Sequence, residues 1–226
     1  MVVTEVGCAG VKPDHKIMDE STPEGKIFLG TYKNIINSPG GPRRIYLSQE
    51  LNNPLLFWGF FDWDSLEHHE NFAKTSLGPE VLKDLPAVLS HGIFTKHIDS
   101  TPSLPKALTS PLTDVAVAYF PPETSPEDKS VATAQLQKLL GEYFGDSPEI
   151  NAIGHSWGLE NDFPFDSGKG ELNGSILMAL VGWSSVEACR EFHSTGDYEY
   201  FLGSARDITG LLRLDDLQLS CTVLEK

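Results

Sequence analysis

The stretch "FFDWDSLEHHENF" (Phe60–Phe72) returns as "LVGWSSVEACREF" (Leu180–Phe192), with Trp, Ser, Glu and Phe in the same places. The two Trp residues lie 183 − 63 = 120 positions apart. A second pair, "VTEV" (Val3–Val6) and "LTDV" (Leu112–Val115), keeps the same order at an offset of 113 − 4 = 109. Two anchors in one order point to an internal repeat, and a repeat constrains a fold more than any local propensity. The difference between the offsets fits one longer loop in the second half, placed at "NDFPFDSGKGELN" (Asn161–Asn173).

Each half reads as strand, helix, strand, strand, helix, strand. In the first half the strands are Val2–Ala9, Arg43–Leu51, Leu55–Trp63 and His91–Ile98. The helices are Pro23–Ile36, stopped by "SPGG", and one that starts after Asp64. In the second half the strands are Val115–Phe120, Ile150–Leu159, Ser175–Trp183 and Leu214–Leu224. Helices cover Pro126–Phe144 and Val186–Arg206. Asp64-x-x-Glu67 and Ser184-x-x-Glu187 read as capping boxes. Residues 1–100 form the first repeat, 101–111 a Pro-rich linker, and 112–226 the second repeat.

The strand before each cap is apolar on both faces. Leu55, Phe57, Phe61 and Trp63 share one face; Leu56, Trp58 and Phe60 share the other. An antiparallel strand with one wet face would alternate apolar and polar residues, so these strands are covered twice. Helices cover one side, and the duplicate can cover the other. The expected fold is α+β: two ferredoxin-like βαββαβ repeats in one chain, packed sheet to sheet as an α+β barrel.

Composition narrows the partners. A net charge of −15 on 226 residues argues against nucleic acid and anionic membranes. No basic, apolar leader opens the chain and no run of about 18 apolar residues exists, so neither a signal peptide nor a membrane span is expected. Cys8, Cys189 and Cys221 are three and widely spaced, which suits reduced thiols and a cytoplasmic protein. There is no CxxC, HExxH, Walker or dinucleotide motif, so no metal or cofactor is expected. "GHSWG" (Gly154–Gly158) matches G-x-S-x-G, but a nucleophile elbow needs a strand-to-helix turn, and here a strand continues.

The W-x-S-x-E-x-[HC]-x-x-F pattern after a buried strand, present twice, resembles the antibiotic-biosynthesis-monooxygenase type of dimeric α/β-barrel protein. More narrowly, it resembles the tandem-repeat members of filamentous fungi. The resemblance implies a pocket between each sheet and its own helices. It also implies a range of activities: cofactor-free monooxygenases, cyclases, dehydratases, haem enzymes and stress proteins. Haem-degrading members place a His about ten residues after the aromatic; here Leu82 and Leu202 hold those places.

Several polar residues then become candidates. On the first helix His69 shares the inward face with Leu66 and Phe72; Cys189 and His193 share the matching face of the second. His69 is a candidate proton carrier, because imidazole titrates near neutral pH. His91 and His97 share a strand face with Ile93 and Thr95, about 20 Å apart; His91 could line the first pocket and His97 a rim. His155 beside Trp157, met by His193, is the best pair for a second pocket. Tyr32, Trp58, Phe72 and Trp157 are candidate walls for an apolar ligand. Glu5 and Asp114 hold equivalent strand positions; each could be an acid with a raised pKa, but a strand-end carboxylate bound to backbone or to Arg43 or Arg44 is the favoured reading.

The expected function is a cofactor-independent enzyme of fungal secondary metabolism. It would bind an apolar polyketide- or terpenoid-like molecule and guide cyclisation, rearrangement or elimination. The alternatives are a cofactor-free monooxygenase acting on a phenol or anthrone, and a non-catalytic binding or stress protein. A homodimer is compatible with either.

Overall fold

The computed structural model describes residues 2–168 and 170–226. In chain order the elements are β1 (Val3–Val11), α1 (Pro23–Asn37), β2 (Arg44–Gln49), β3 (Leu56–Trp63), α2 (Leu66–Ala73), α3 (Leu77–Leu82) and β4 (Leu89–Asp99). Next come α4 (Ser103–Leu108), β5 (Leu112–Phe120), α5 (Pro126–Phe144), β6 (Ile150–Trp157), β7 (Phe163–Asp166) and β8 (Glu171–Trp183). The chain ends with α6 (Val186–Thr195), α7 (Asp197–Ala205), β9 (Arg213–Leu219) and β10 (Thr222–Glu225). A short 3-10 turn at Leu85–Ala87 precedes β4.

Two compact units result: residues 1–100 with 220–226, and residues 101–219. The first sheet has the order β10-β2-β3-β1-β4 and the second β6-β8-β5-β9, with β7 paired to β8. Without β10 and β7, both are antiparallel four-stranded sheets of ferredoxin-like connectivity. The registers match as well. Val3 faces Trp63 and Glu5 faces Phe61; Leu112 faces Trp183 and Asp114 faces Val181.

The helices begin where short polar side chains meet orphan N–H groups. Thr22 caps α1 by accepting from the Gly25 amide, with Pro23 and Glu24 in the first turn. Ser125 caps α5 in the same way, with Pro126, Glu127 and Asp128 following. The caps of α2 and α6 are the shared serines themselves. Ser65 accepts from the His68 amide and Ser185 from the Ala188 amide. The expected boxes at Asp64 and Ser184 are therefore one residue too early, and Glu67 and Glu187 sit inside the first turn.

Each unit has its own core. In the first, Phe28, Tyr32 and Ile35 of α1 pack on Phe57, Phe61 and Trp63 of β3. In the second, Leu136, Leu140 and Phe144 of α5 and Phe201 of α7 pack on Leu177, Val181 and Trp183 of β8. Each fully buried phenylalanine contributes about 2–3 kcal/mol of transfer free energy.

Four further expectations change. The helix expected over Val186–Arg206 breaks at Gly196, whose φ of 84° lies in the left-handed region. The strand expected over Leu214–Leu224 splits, and β10 joins β2 at the edge of the first sheet. The segment read as a loop at 161–173 is the β7–β8 hairpin, with Phe163 and Phe165 buried. Residues 101–111, read as a linker, carry α4, which lies against β6 and β8.

Candidate functional site

A cavity of about 370 Å³ lies in the first unit, between the sheet and its own helices. Phe57, Phe61, Tyr32, Phe72 and Leu82 supply apolar wall, and Glu5 and His69 supply polar groups. The aromatic wall is interlocked: Tyr32 packs on Phe28, Phe57 and Phe61 at ring separations of 4.9, 5.8 and 5.6 Å. A wall of tilted rings suits a flat apolar ligand.

Glu5 projects from the helix-facing side of β1. Its Oε2 accepts from Trp63 Nε1 at 2.8 Å and lies 3.3 Å from His69 Nε2. His69 Nδ1 is 2.7 Å from Nε2 of His97, itself only 6% exposed. Carboxylate, imidazole and imidazole thus form one chain, with Glu5 and His69 on the cavity lining and His97 beyond them. The chain has two self-consistent proton arrangements. With Glu5 ionised, each histidine donates toward it. With Glu5 protonated, each histidine donates away from it. A proton gained by Glu5 can therefore move to His97 without displacement of a heavy atom.

Burial pushes the Glu5 carboxyl up to about 7, against the opposing pull of the Trp63 hydrogen bond and of His97. A carboxyl poised there can serve as base or acid at neutral pH. Burial likewise raises Tyr32, with the Glu5 charge adding to it, so the phenol stays protonated. Cys8, also on the cavity wall, is pushed up to about 12 by burial and by Glu50 and is not a nucleophile at neutral pH.

Of the residues singled out from sequence, the cavity brings together Glu5, Tyr32, His69 and Phe72. His91 is not among its walls. It is exposed and bonds Ser90 Oγ at 2.9 Å. The register shows why. His97 faces Glu5 and Thr95 faces Gly7, but Gly92 faces Ala9, His91 faces Gly10 and Leu89 faces Val11. The register shift at Ile93 reverses the alternation of β4, so that Gly92 and not His91 follows Thr95 on the cavity face, and the shift at Ser90 restores it for Leu89. His91 and His97 therefore do not share a face: His97 is buried beside His69, His91 is exposed, and neither lines the cavity. Trp58 also points away from the cavity. It packs edge-on against Phe94 at 5.7 Å, and its Nε1 reaches Glu50 at 3.4 Å.

Of the residues anticipated for a second pocket, His155 and Trp157 both face α5, whereas His193 bonds elsewhere. His155 is half-buried and bonds Gln137 of α5; burial lowers its pKa, favouring the neutral ring. Trp157 donates to Thr133 of α5 and lies under Lys129 at 4.9 Å. His193 instead bonds Asp114 Oδ2 at 2.9 Å and stacks on Tyr198 at 3.9 Å. Around this site Phe144 packs on Trp183, Phe192 and Phe201 at ring separations of 6.1, 5.1 and 5.0 Å.

Glu5 and His97 were both weighed from sequence, but Glu5 was favoured as a strand-end carboxylate and His97 as a rim residue. A signal existed: Glu5 and Asp114 fall at matching positions of strands that are otherwise apolar, and each is bonded by the Trp of the repeated frame.

No family model matches the chain, and no curated protein matches it. Solved structures do. An anthrone oxidase-like protein superposes over 99% of this chain and 93% of its own with a TM-score of 0.64 at 13% identity. A protein of Fusobacterium nucleatum provisionally named a monooxygenase matches 100% of this chain and 94% of its own, at a TM-score of 0.58 and 10% identity. A protein provisionally named a chlorite dismutase matches 98% and 94%, at 0.53 and 10%. The chain therefore has the ferredoxin-like fold shared by monooxygenase-type and chlorite dismutase-type proteins, and the resemblance read from the repeated motif is supported at the level of fold.

Proposed function

We propose that the cavity of the first unit is the active site of a cofactor-independent oxygenase for a flat, apolar phenol or anthrone. The observation that carries this reading is the chain Glu5–His69–His97 opening on an aromatic wall. The substrate's acidic C–H or O–H would face Glu5, which takes the proton. His69 and His97 then share the charge. The resulting electron-rich carbanion reacts directly with oxygen. For an anthrone the balance is one CH₂ and one O₂ giving one C=O and one water, so no external reductant is needed. The apolar wall contributes by excluding water, which strengthens the base and protects the carbanion. The monooxygenase and anthrone oxidase names of structures with this fold support the choice of reaction.

A second reading keeps the same proton transfer and omits oxygen: cyclisation, isomerisation or elimination of a polyketide- or terpenoid-like molecule. The carboxyl poised near neutrality favours it, because one group could then both remove and return a proton. Oxygen uptake with an anthrone probe separates the two. The oxygenase consumes one O₂ per quinone formed; a cyclase consumes none. A binding or stress protein would show turnover of neither kind. Fungal origin, cytoplasmic location and pairing of two chains belong to the same proposal. Among the described residues no helix is long and apolar enough to cross a membrane.

A further inference from the structure

The second unit keeps the Trp–carboxylate pair but surrounds it with different donors. Glu5 becomes Asp114. The His69 place becomes Cys189, and one helical turn on, where the first unit has Ala73, stands His193. Cys189 and His193 are i and i+4 on α6, so both side chains point at β5. His193 Nε2 lies 2.9 Å and Cys189 Sγ 3.6 Å from Asp114 Oδ2, and all three donor atoms lie within 4.8 Å of one another.

We infer that Asp114, Cys189 and His193 form a binding site for a zinc-like divalent ion. A tetrahedral ion bonded at about 2.0–2.3 Å needs its ligand atoms separated by roughly 3.3–3.6 Å. The Asp114–His193 separation of 2.9 Å needs tenths of an ångström of widening, the Cys189–Asp114 separation of 3.6 Å is already in range, and the Cys189–His193 pair, within 4.8 Å, draws together on binding. One thiolate, one imidazole and one carboxylate are a borderline-soft donor set that favours zinc over magnesium or calcium. Three protein ligands leave a fourth position for water or a small anion.

The surroundings are those of a supported site. Asp114 Oδ2 accepts from Trp183 Nε1 at 2.8 Å, and Asp114 Oδ1 accepts from Gln218 Nε2 at 2.8 Å. Gln218 Nε2 also reaches Cys189 Sγ at 3.4 Å. Tyr198 stacks on the His193 ring and fixes its plane. Such outer partners orient ligands and raise affinity. Asp114 and Cys189 are buried, whereas the His193 side chain is 28% exposed and marks the way in. On binding, the Cys189 thiol gives its proton to solvent. The proton on His193 Nε2 moves to Nδ1.

The test is cobalt titration of the full-length chain, read by thiolate-to-cobalt charge-transfer absorption and by competition with zinc. The expected result is one equivalent of cobalt with that band, displaced by zinc. Cys189→Ser should lose the band and bind at least tenfold more weakly. Gln218→Ala should weaken binding on the order of 10–100-fold. The double variant Cys8→Ala/Cys221→Ala leaves Cys189 as the sole thiol and should keep the band, so the assignment holds even if Cys189→Ser fails to fold. A wild-type chain that gives no charge-transfer band, or a double variant that loses it, overturns the site.

Discussion

Glu5 and His97 are direct cross-strand partners on β1 and β4, and His69 from α2 lies between their side chains. Neighbouring strands fix the two ends, and a capped helix supplies the middle. The proton path is therefore held by backbone pairing and not by flexible loops, which is the preorganisation that acid–base catalysis requires.

The first prediction concerns stability against pH. The folded-state pKa of Glu5 is about 7, above its unfolded value of 4.5. Between those values the folded chain holds a proton that the unfolded chain has lost. Stability from this group is thus highest below pH 4.5, falls as pH rises, and levels off above about 7. The loss is at most about 3 kcal/mol. Glu5→Gln cannot ionise and should gain on the wild type by up to that amount between pH 5 and pH 8. Urea denaturation at both pH values measures it, and equal differences at the two would contradict the buried carboxyl.

His69→Ala breaks the chain in the middle and should lower kcat on the order of 10²-fold or more, within the range for general acid–base groups. His97→Gln keeps a donor beside His69 Nδ1 but cannot carry the proton. Its loss should be smaller and should fall on kcat, with KM unchanged, because His97 does not line the cavity. A change confined to KM would assign His97 to ligand binding instead.

Trp63→Phe removes the N–H that stabilises ionised Glu5. The midpoint of the kcat/KM profile, rising with pH as Glu5 ionises, should move above about 7. The lost charge-assisted bond should cost about 1.5–3 kcal/mol of stability. An unmoved midpoint would place the essential base elsewhere.

Gly92 lines the cavity, and a Cβ built on it meets nothing within 4 Å. Gly92→Leu should therefore narrow the cavity without a backbone clash. Binding of an aromatic probe, followed by fluorescence, should weaken at least tenfold, with little change in Tm. Unaltered binding would mean that the ligand sits elsewhere.

Much of the scaffold could be read from the chain. The repeated W-x-S-x-E frame marks two equivalent strand ends and helix starts, and the apolar β3 and β8 require cover on both faces. The inward aim of His69 follows from helical spacing alone. The placement of His91 and His97 was hidden because a β-bulge leaves no reliable mark in one sequence; simple alternation over β4 puts both on one face, and the register shift at Ile93, between them, undoes it. His155 and Trp157 do share a strand face, but that face looks onto α5, and strand spacing cannot say which helix residues fill the space. Glu5 was undervalued because a lone carboxylate in an apolar strand has an ordinary explanation. Its partners come from positions 63, 69 and 97 and meet only in the folded chain.

The central claim, that Glu5 in this cavity removes a proton from an apolar carbon acid, is tested most directly without oxygen. An anthrone incubated anaerobically with the protein in D₂O reports proton removal as deuterium incorporation at its acidic carbon, whatever follows. The wild type and His155→Gln should both exchange far faster than buffer, and Glu5→Gln should exchange at the buffer rate. Exchange by Glu5→Gln at the wild-type rate, or a wild type no faster than buffer, would contradict the account.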